Sequence, residues 1–106
     1  MLYCRAMETV ARGEVLARFG HALSDATRTR VLLALVEGAA YPAELADRLG
    51  VSRQSLSNHL ACLRGCGLVV AEPEGRRTRY ELADPKLATA LTALLDVVLA
   101  VDPGCH

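Results

Sequence analysis

The stretch 41–65 constrains the fold more than any other part of this sequence. Pro42 suits the first turn of a short helix, where its missing N–H is not needed, and Gly50 suits the end of that helix. Ser52 can then cap a second helix. The leucines of this second helix recur at helical spacing, as its buried face: Leu56, Leu60 and Leu63. Two short helices joined by a tight turn form a helix-turn-helix motif, which we place at residues 41–65.

The other face of the second helix is polar over its first two turns. It carries a run of side chains that can donate or accept hydrogen bonds: Ser52, Arg53, Gln54, Ser55, Ser57, Asn58 and His59. A helix that is inserted in the major groove of DNA presents side chains of its N-terminal half to base edges. We therefore predict that these residues bind DNA.

A β-hairpin is predicted directly after this motif, at residues 68–82. Residues 68–72 form the first strand of this prediction, 73–75 the turn and 76–82 the returning strand. Arg76, Arg77 and Arg79 fall near the tip, where they suit contact with phosphate or the minor groove. A solvated edge hairpin that uses charge against aggregation is the alternative. The position behind a helix-turn-helix motif favours a DNA-binding wing.

Three further helices are predicted. Apolar spacing indicates the first helix over residues 8–20, ending at Gly20, and another that begins at a cap on Ser24 or Asp25 and ends at an αL Gly38. The last helix, 84–101, has almost no polar face, so we expect it to be buried, in part against the same helix of a second chain. The predicted fold is a single winged helix-turn-helix domain over residues 1–106. It is mainly α with a β-hairpin wing (α+β), has about five helices, and dimerises through its first and last helices.

Charge and cysteine usage exclude several classes of protein. The 106 residues carry 12 basic and 12 acidic side chains, which argues against a protein that holds nucleic acid by bulk charge. Four cysteines are too few for the dense disulfide framework of small secreted domains. The first 20 residues lack the apolar core of a signal peptide, and the longest apolar tract is shorter than the ~20 residues that cross a bilayer. We expect a reduced, cytoplasmic protein with no membrane partner.

Two cysteines lie four positions apart near the end of the polar-faced helix. Cys62 and Cys66 share one helix face, with their Cβ atoms about 5–6 Å apart. The helix C-terminus opposes thiolate formation, so the pair suits metal ligation better than nucleophilic chemistry. Core packing is the alternative explanation of the pair.

The two remaining cysteines, Cys4 and Cys105, lie in terminal segments where no packing need is apparent. A set of three or four sulfurs drawn from Cys62, Cys66, Cys105 and Cys4 would prefer a soft or borderline cation, such as cadmium, lead, mercury or zinc. We assign residues 102–106 as a metal-binding tail. His21 and His106 are further candidate ligands.

Three segments resemble the ArsR/SmtB family of metal-responsive winged-helix repressors, and the resemblance covers nearly the whole chain. They are LSDATRTRVLLALVEG (23–38), YPAELADRLGVSRQSLSNHLACLRGCGLVV (41–70) and EGRRTRYELADPKLATAL (74–91). The chain is most similar to the cadmium- and lead-sensing CmtR-type subgroup, which is marked by an ACLRGCG-like stretch. The resemblance implies that Cys62 and Cys66 bind one metal ion together with Cys105 of the other protomer, with Cys4 as an accessory ligand.

The function that the resemblance implies is a homodimeric repressor. Its metal-free form binds double-stranded operator DNA, and a soft divalent metal ion as effector, cadmium or lead before mercury or zinc, releases the DNA and derepresses metal-resistance genes. The alternatives are a repressor that senses mercury, zinc, arsenite or thiol oxidation through the same cysteines. A thiol enzyme that pairs a cysteine with His59 or His106 is not expected, because no oxyanion hole or activated thiolate is recognisable.

Overall fold

A computed structural model describes the backbone of residues 2–101 and the side chains of residues 11–100. Its elements, in chain order, are α1 (Leu2–Leu23), α2 (Ala26–Val36), α3 (Pro42–Leu49), α4 (Arg53–Gly65), β1 (Val69–Glu74), β2 (Arg77–Leu82) and α5 (Pro85–Val101). This arrangement confirms the predicted helices with a two-stranded antiparallel hairpin. The predictions for the Cys4 side chain, Cys105, His106 and the tail 102–106 fall outside the described residues.

The first helix extends from Leu2 to Leu23, so the predicted start at residue 8 and the predicted end at Gly20 are both wrong. Glycine inside a helix costs only about 1 kcal/mol relative to alanine. Packing outweighs this cost, because Ala22 is fully buried and Phe19 and Leu23 pack against the core. The chain turns instead at Ser24, whose hydroxyl donates to the carbonyl oxygen of His21 at 2.6 Å.

The corner between α1 and α2 is held by Asp25 and Arg28. Of the two candidate caps, Asp25 is the N-cap of α2, since its Oδ2 accepts the backbone N–H of Arg28 at 2.9 Å. The Arg28 guanidinium donates back to the carbonyl oxygens of Ala22 at 3.1 Å and His21 at 2.9 Å, at the end of α1. At the other end of α2, Gly38 has a φ of +142°, so the αL conformation predicted there is wrong.

The helix-turn-helix forms as predicted. Pro42 opens α3, and Gly50 ends it in the left-handed conformation, with φ 67° and ψ 35°. Ser52 caps α4, because its Oγ accepts the backbone N–H of Ser55 at 3.0 Å. The largest fully buried side chains come from α2, α3 and α4, and form the centre of the core: Val31, Leu32, Leu45, Leu56, Leu60 and Leu63.

The hairpin turn starts two residues later than predicted. Pro73 pairs with Thr78, and Glu74 with Arg77, so the turn consists of the two residues between that last pair, and the predicted turn at 73–75 is wrong. Gly75 has a φ of +61°, which suits the first position of a two-residue hairpin turn. Proline is tolerated in β1 because an edge strand can lack one N–H donor.

The last helix is much less buried within one chain than we expected. Among residues 85–100 of α5, only Leu91 is buried, at 3% exposure, whereas Val98 is 53% and Leu99 71% exposed. On α1, Val15 and Leu16 are also exposed. A single chain therefore leaves apolar side chains of both terminal helices in contact with water. In the part of the chain that the structure describes, no helix combines the length and the hydropathy that a membrane span requires.

Candidate DNA interface and thiol site

The outer face of α4 presents the polar side chains that the sequence assigned to DNA. Arg53, Gln54, Ser57 and Asn58 are exposed, and Ser55 is half-buried beside the cap. Gln54 and Asn58 lie one turn apart, and the Gln54 Nε2 donates to the Asn58 Oδ1 at 3.2 Å. This bond fixes the two amide side chains next to each other on one exposed ridge of α4. Asn and Gln amides are the groups that hydrogen-bond well to the edge of adenine.

His59 lies apart from that ridge. Its side chain is only 18% exposed, and its Nε2 is 3.7 Å from the Asp25 Oδ2. The pKa of Asp25 is lowered, chiefly because the carboxylate accepts the Arg28 backbone N–H; burial opposes this, and the charges of His59 and Arg28 add to it. The structure thus places His59 against the N-terminus of α2, where it connects α4 to the corner that Asp25 caps.

The three wing arginines differ in their surroundings. Arg76 is exposed at the turn. The Arg77 guanidinium carbon lies 3.4 Å from the centroid of the Tyr41 ring, a cation–π contact. The Arg79 Nη2 is 3.0 Å from the Glu72 Oε2, and its Nε is 3.3 Å from the Glu74 Oε2. The pKa of Arg79 is raised, chiefly by the hydrogen bond to Glu72.

Tyr41 connects the wing to the helix-turn-helix, and the sequence did not single it out. It lies directly before α3, and its hydroxyl donates to the Glu74 Oε1 at 2.5 Å. This hydrogen bond is the main reason why the pKa of Tyr41 is raised. Next to it, Ala40 and Tyr80 exchange two backbone hydrogen bonds of 2.9 Å. Glu72 and Glu74 on the first strand and arginines on the second were a sequence signal for ion pairs within the hairpin, but not for the contacts of Tyr41.

The thiols of Cys62 and Cys66 are both free and half-buried at the end of α4. Cys66 is the C-cap residue of α4. Burial raises the pKa of the Cys66 thiol, the neighbouring Cys62 raises it further, and the charges of Arg18 and Arg28 oppose the shift. A bound cation is therefore needed to hold Cys66 as a thiolate at neutral pH.

Cys66 also borders a cleft of about 250 Å³ formed with α1 and α5. The cleft is lined mainly by apolar side chains: Val15, Leu16, Arg18, Phe19, Cys66, Leu68, Leu87 and Ala90. The Cys66 side chain thus connects the end of α4 to the two helices whose apolar side chains are exposed.

Within residues 11–100, no three His, Cys, Asp or Glu side chains are grouped closely enough to hold a metal ion. His21 therefore does not complete a site with Cys62 and Cys66. The two thiols provide a soft, incomplete donor set, and the other cysteines proposed as ligands lie outside the described side chains.

Comparison with known proteins identifies the family. The model of the family "Bacterial regulatory protein, arsR family" matches residues 25–70. The HTH-type transcriptional regulator CmtR of Mycobacterium tuberculosis is 57% identical over 102 residues, which are 96% of this chain and 82% of that protein. A probable mercury resistance operon repressor of Streptomyces lividans is 40% identical over 72 residues, 68% of this chain and 58% of that protein.

Two solved structures share the fold. The NMR structure of the cadmium metal-sensor CMTR from Mycobacterium tuberculosis has a TM-score of 0.68 and 59% sequence identity, and the match covers 85% of this chain and 94% of that one. A homodimeric winged helix-turn-helix DNA-binding domain from Mycobacterium bovis has a TM-score of 0.81 and 28% identity, with 92% and 90% of the two chains covered.

The relatives are transcriptional regulators, which confirms the expectation that the chain is not an enzyme, and the solved structures confirm the winged helix-turn-helix fold. The similarity to CmtR extends over 96% of this chain. The protein belongs to the ArsR family of winged helix-turn-helix transcriptional regulators.

Proposed function

We propose that this protein is a metal-responsive repressor. Its metal-free homodimer binds operator DNA, and thiolate binding of a soft metal ion releases the DNA. One observation carries the proposal: Cys62 and Cys66 lie at the C-terminal end of the same helix, α4, that exposes Gln54 and Asn58 in its N-terminal half. A ligand held by the thiols therefore acts on the element that is best placed to bind DNA.

The exposed apolar side chains of α5 and α1 support the homodimer. Leu99 at 71% exposure and Leu16 at 68% would be costly to leave in water. A second copy of the chain covers them across a two-fold axis, which places two recognition helices about 34 Å apart on one face of the duplex. The homodimeric relative from Mycobacterium bovis is consistent with this assembly.

The contacts of Cys66 supply the coupling between metal and DNA. Its side chain borders the cleft between α1 and α5, so joining it to Cys62 and to Cys105 of the partner subunit would fix the end of α4 relative to the dimer interface. Burial raises the pKa of the Cys66 thiol, and the positive charges of Arg18 and Arg28 offset only part of this shift. A coupling of about 1–3 kcal/mol would weaken operator binding roughly five- to 150-fold.

Sulfur ligands favour a soft effector, with cadmium or lead as the first candidates and Cys4 as an accessory ligand. The relatives that are a cadmium metal-sensor and a probable mercury resistance repressor support a soft metal ion. Mercury, zinc and arsenite are the alternative effectors, and oxidation of the same thiols is the alternative signal.

The experiment is a fluorescence anisotropy titration of the reduced protein with a duplex that the metal-free protein has selected in vitro. Cadmium or lead at saturation should weaken binding at least fivefold. Cys62→Ser and Cys66→Ser should bind the duplex normally without metal and should not respond to it. Ala61→Ser is the matched control, since it introduces serine on the same helix and leaves both thiols in place.

Unchanged operator affinity at saturating cadmium and lead would refute the proposal. If only mercury, zinc or arsenite releases the DNA, the protein is still a metal-responsive repressor, but its effector is that ion rather than cadmium or lead. Release by peroxide, with no response to any metal, would assign the two thiols to redox sensing instead.

A further inference from the structure

The wing contains a network of acidic and basic side chains that begins at the start of α3. The Tyr41 hydroxyl donates to the Glu74 Oε1 at 2.5 Å. The other carboxylate oxygen of Glu74 is 3.3 Å from the Arg79 Nε, and the Glu72 Oε2 is 3.0 Å from the Arg79 Nη2. Arg79 is therefore held by two carboxylates of the opposite strand.

The hairpin register produces this arrangement. Glu72 lies directly opposite Arg79, and Glu74 opposite Arg77. Side chains of directly opposed residues on an antiparallel pair point to the same face of the sheet. Both carboxylates of β1 thus share a face with the two arginines of β2 that a DNA-binding wing would use.

The Arg79 Nη2 donates to Glu72, whereas Glu74 is paired with the Arg79 Nε by charge, without a hydrogen bond. Guanidinium N–H groups bind carboxylate and phosphate oxygens in the same geometry, so a phosphate competes with Glu72 for the Nη2 donor and with both carboxylates for the positive charge. The pair is accessible, since the Arg79 side chain is 35% and that of Glu72 61% exposed. Arg77 differs, because stacking on the Tyr41 ring leaves the edge of its guanidinium available for hydrogen bonds.

We propose that Glu72 and Glu74 are positioning residues that compete with DNA phosphate for Arg79, and so limit the contribution of the wing to DNA affinity. The proposal rests on the DNA-binding function proposed above and deepens it. The exchange moves no covalent bond. Arg79 leaves two carboxylates for one phosphate, and the carboxylates return to water.

The test measures operator affinity of the metal-free protein between 50 and 200 mM salt by fluorescence anisotropy. Glu72→Gln and Glu74→Gln each keep an oxygen acceptor but remove the charge. We expect each to bind about three- to tenfold more tightly at low salt, with a plot of log affinity against log salt that is steeper by about one unit.

Two controls separate release of Arg79 from the general effect of removing a negative charge. Asp47→Asn removes one charge from an exposed position of α3, in a side chain with no ion pair in the described part of the chain, and should give a smaller gain and an unchanged slope. In an Arg79→Ala background, Glu72→Gln should not make the plot of log affinity against log salt steeper. Thermal unfolding of every variant verifies the fold.

The proposal is overturned if Glu72→Gln gives the same gain and slope in the wild-type and Arg79→Ala backgrounds, or if Asp47→Asn matches it. Such a result would refute the proposed competition in the wing. It would not affect the proposed metal-responsive repression, which is tested on the wild-type protein. Conversely, a wild-type protein that binds the duplex but ignores every metal would refute the proposed function and leave this test intact.

Discussion

The backbone N–H of Cys66 donates a 3.0 Å hydrogen bond to the carbonyl oxygen of Cys62, at the end of α4. This bond keeps the two residues one helical turn apart, with both thiols half-buried. Burial and the adjacent Cys62 raise the pKa of the Cys66 thiol. Cys66 is thus poorly suited to act as a free thiolate, and its position one turn from Cys62 suits the pair to share a cation.

Replacement of single thiols should show which of them bind the metal. We expect Cys62→Ser and Cys66→Ser each to reduce strongly the thiolate-to-metal ultraviolet absorbance and the affinity when the reduced protein is titrated with cadmium, because each breaks the chelate that the two thiols of α4 form one helical turn apart. Cys105→Ser should weaken binding, and Cys4→Ser should weaken it less. A band that depends on Cys62 and Cys66 alone would exclude the three-sulfur site.

The exposed amides of α4 should control sequence specificity. We expect Gln54→Ala or Asn58→Ala to cost about 1–3 kcal/mol in operator binding while affinity for random duplex stays nearly unchanged. The double variant should lose less than the sum, since each single variant also breaks the 3.2 Å bond between the two amides. Equal losses on operator and random DNA would contradict base contact by these side chains.

Arg76 should behave in the opposite way, as a contact to phosphate. It is exposed at the wing turn, where it can approach the backbone of the duplex. Arg76→Ala should weaken operator and random DNA alike and make the salt dependence shallower by about one unit. Affinity measured at several salt concentrations provides the check. A loss confined to one base position would show that Arg76 contacts a base instead.

The helix-turn-helix could be predicted from sequence because its signals are local. Pro42, Gly50 and Ser52 each fix a helix terminus through their own backbone or side chain, and the structure shows all three in these roles. The end of α1 could not be predicted in this way. Gly20 is a local stop signal, and packing of Ala22 in the core outweighs it.

The wing network could not be predicted because it depends on register. Moving the start of the turn by two residues changes which side chains face each other: a turn at 73–75 would place Glu72 opposite Arg76, whereas the structure places it opposite Arg79. The partner of Tyr41 is Glu74, 33 positions away, so no spacing rule finds it. The same holds for His59, whose position against Asp25 depends on how α4 packs on α2.

Ionised Asp25 should stabilise the fold in a pH-dependent way. Its pKa is lowered from 3.8, chiefly by the Arg28 backbone N–H, so its contribution is complete above the unfolded pKa and is lost as the pH falls through the folded one. Asp25→Asn keeps a capping oxygen without the charge. The Tm of wild type should exceed that of Asp25→Asn above about pH 5, and the difference should disappear in acid. Asp47→Asn is the matched control, and a difference that is constant with pH would contradict the role of the charge.

A charge on the apolar face of α5 should separate the dimer. Val98 is 53% exposed in one chain, so covering the exposed half against a second copy is worth about 1 kcal/mol for each of the two symmetry-related side chains, and burying a carboxylate there costs at least as much again. Val98→Asp should therefore weaken dimerisation at least about a hundredfold in sedimentation equilibrium, because each 1.4 kcal/mol is tenfold. Operator affinity should fall as well, since the two recognition helices are no longer joined.

Thr89→Asp changes an exposed polar position on the same helix and should stay dimeric. If Val98→Asp also stays dimeric, the two chains meet elsewhere, and the coupling between Cys66 and the interface has to be reassigned.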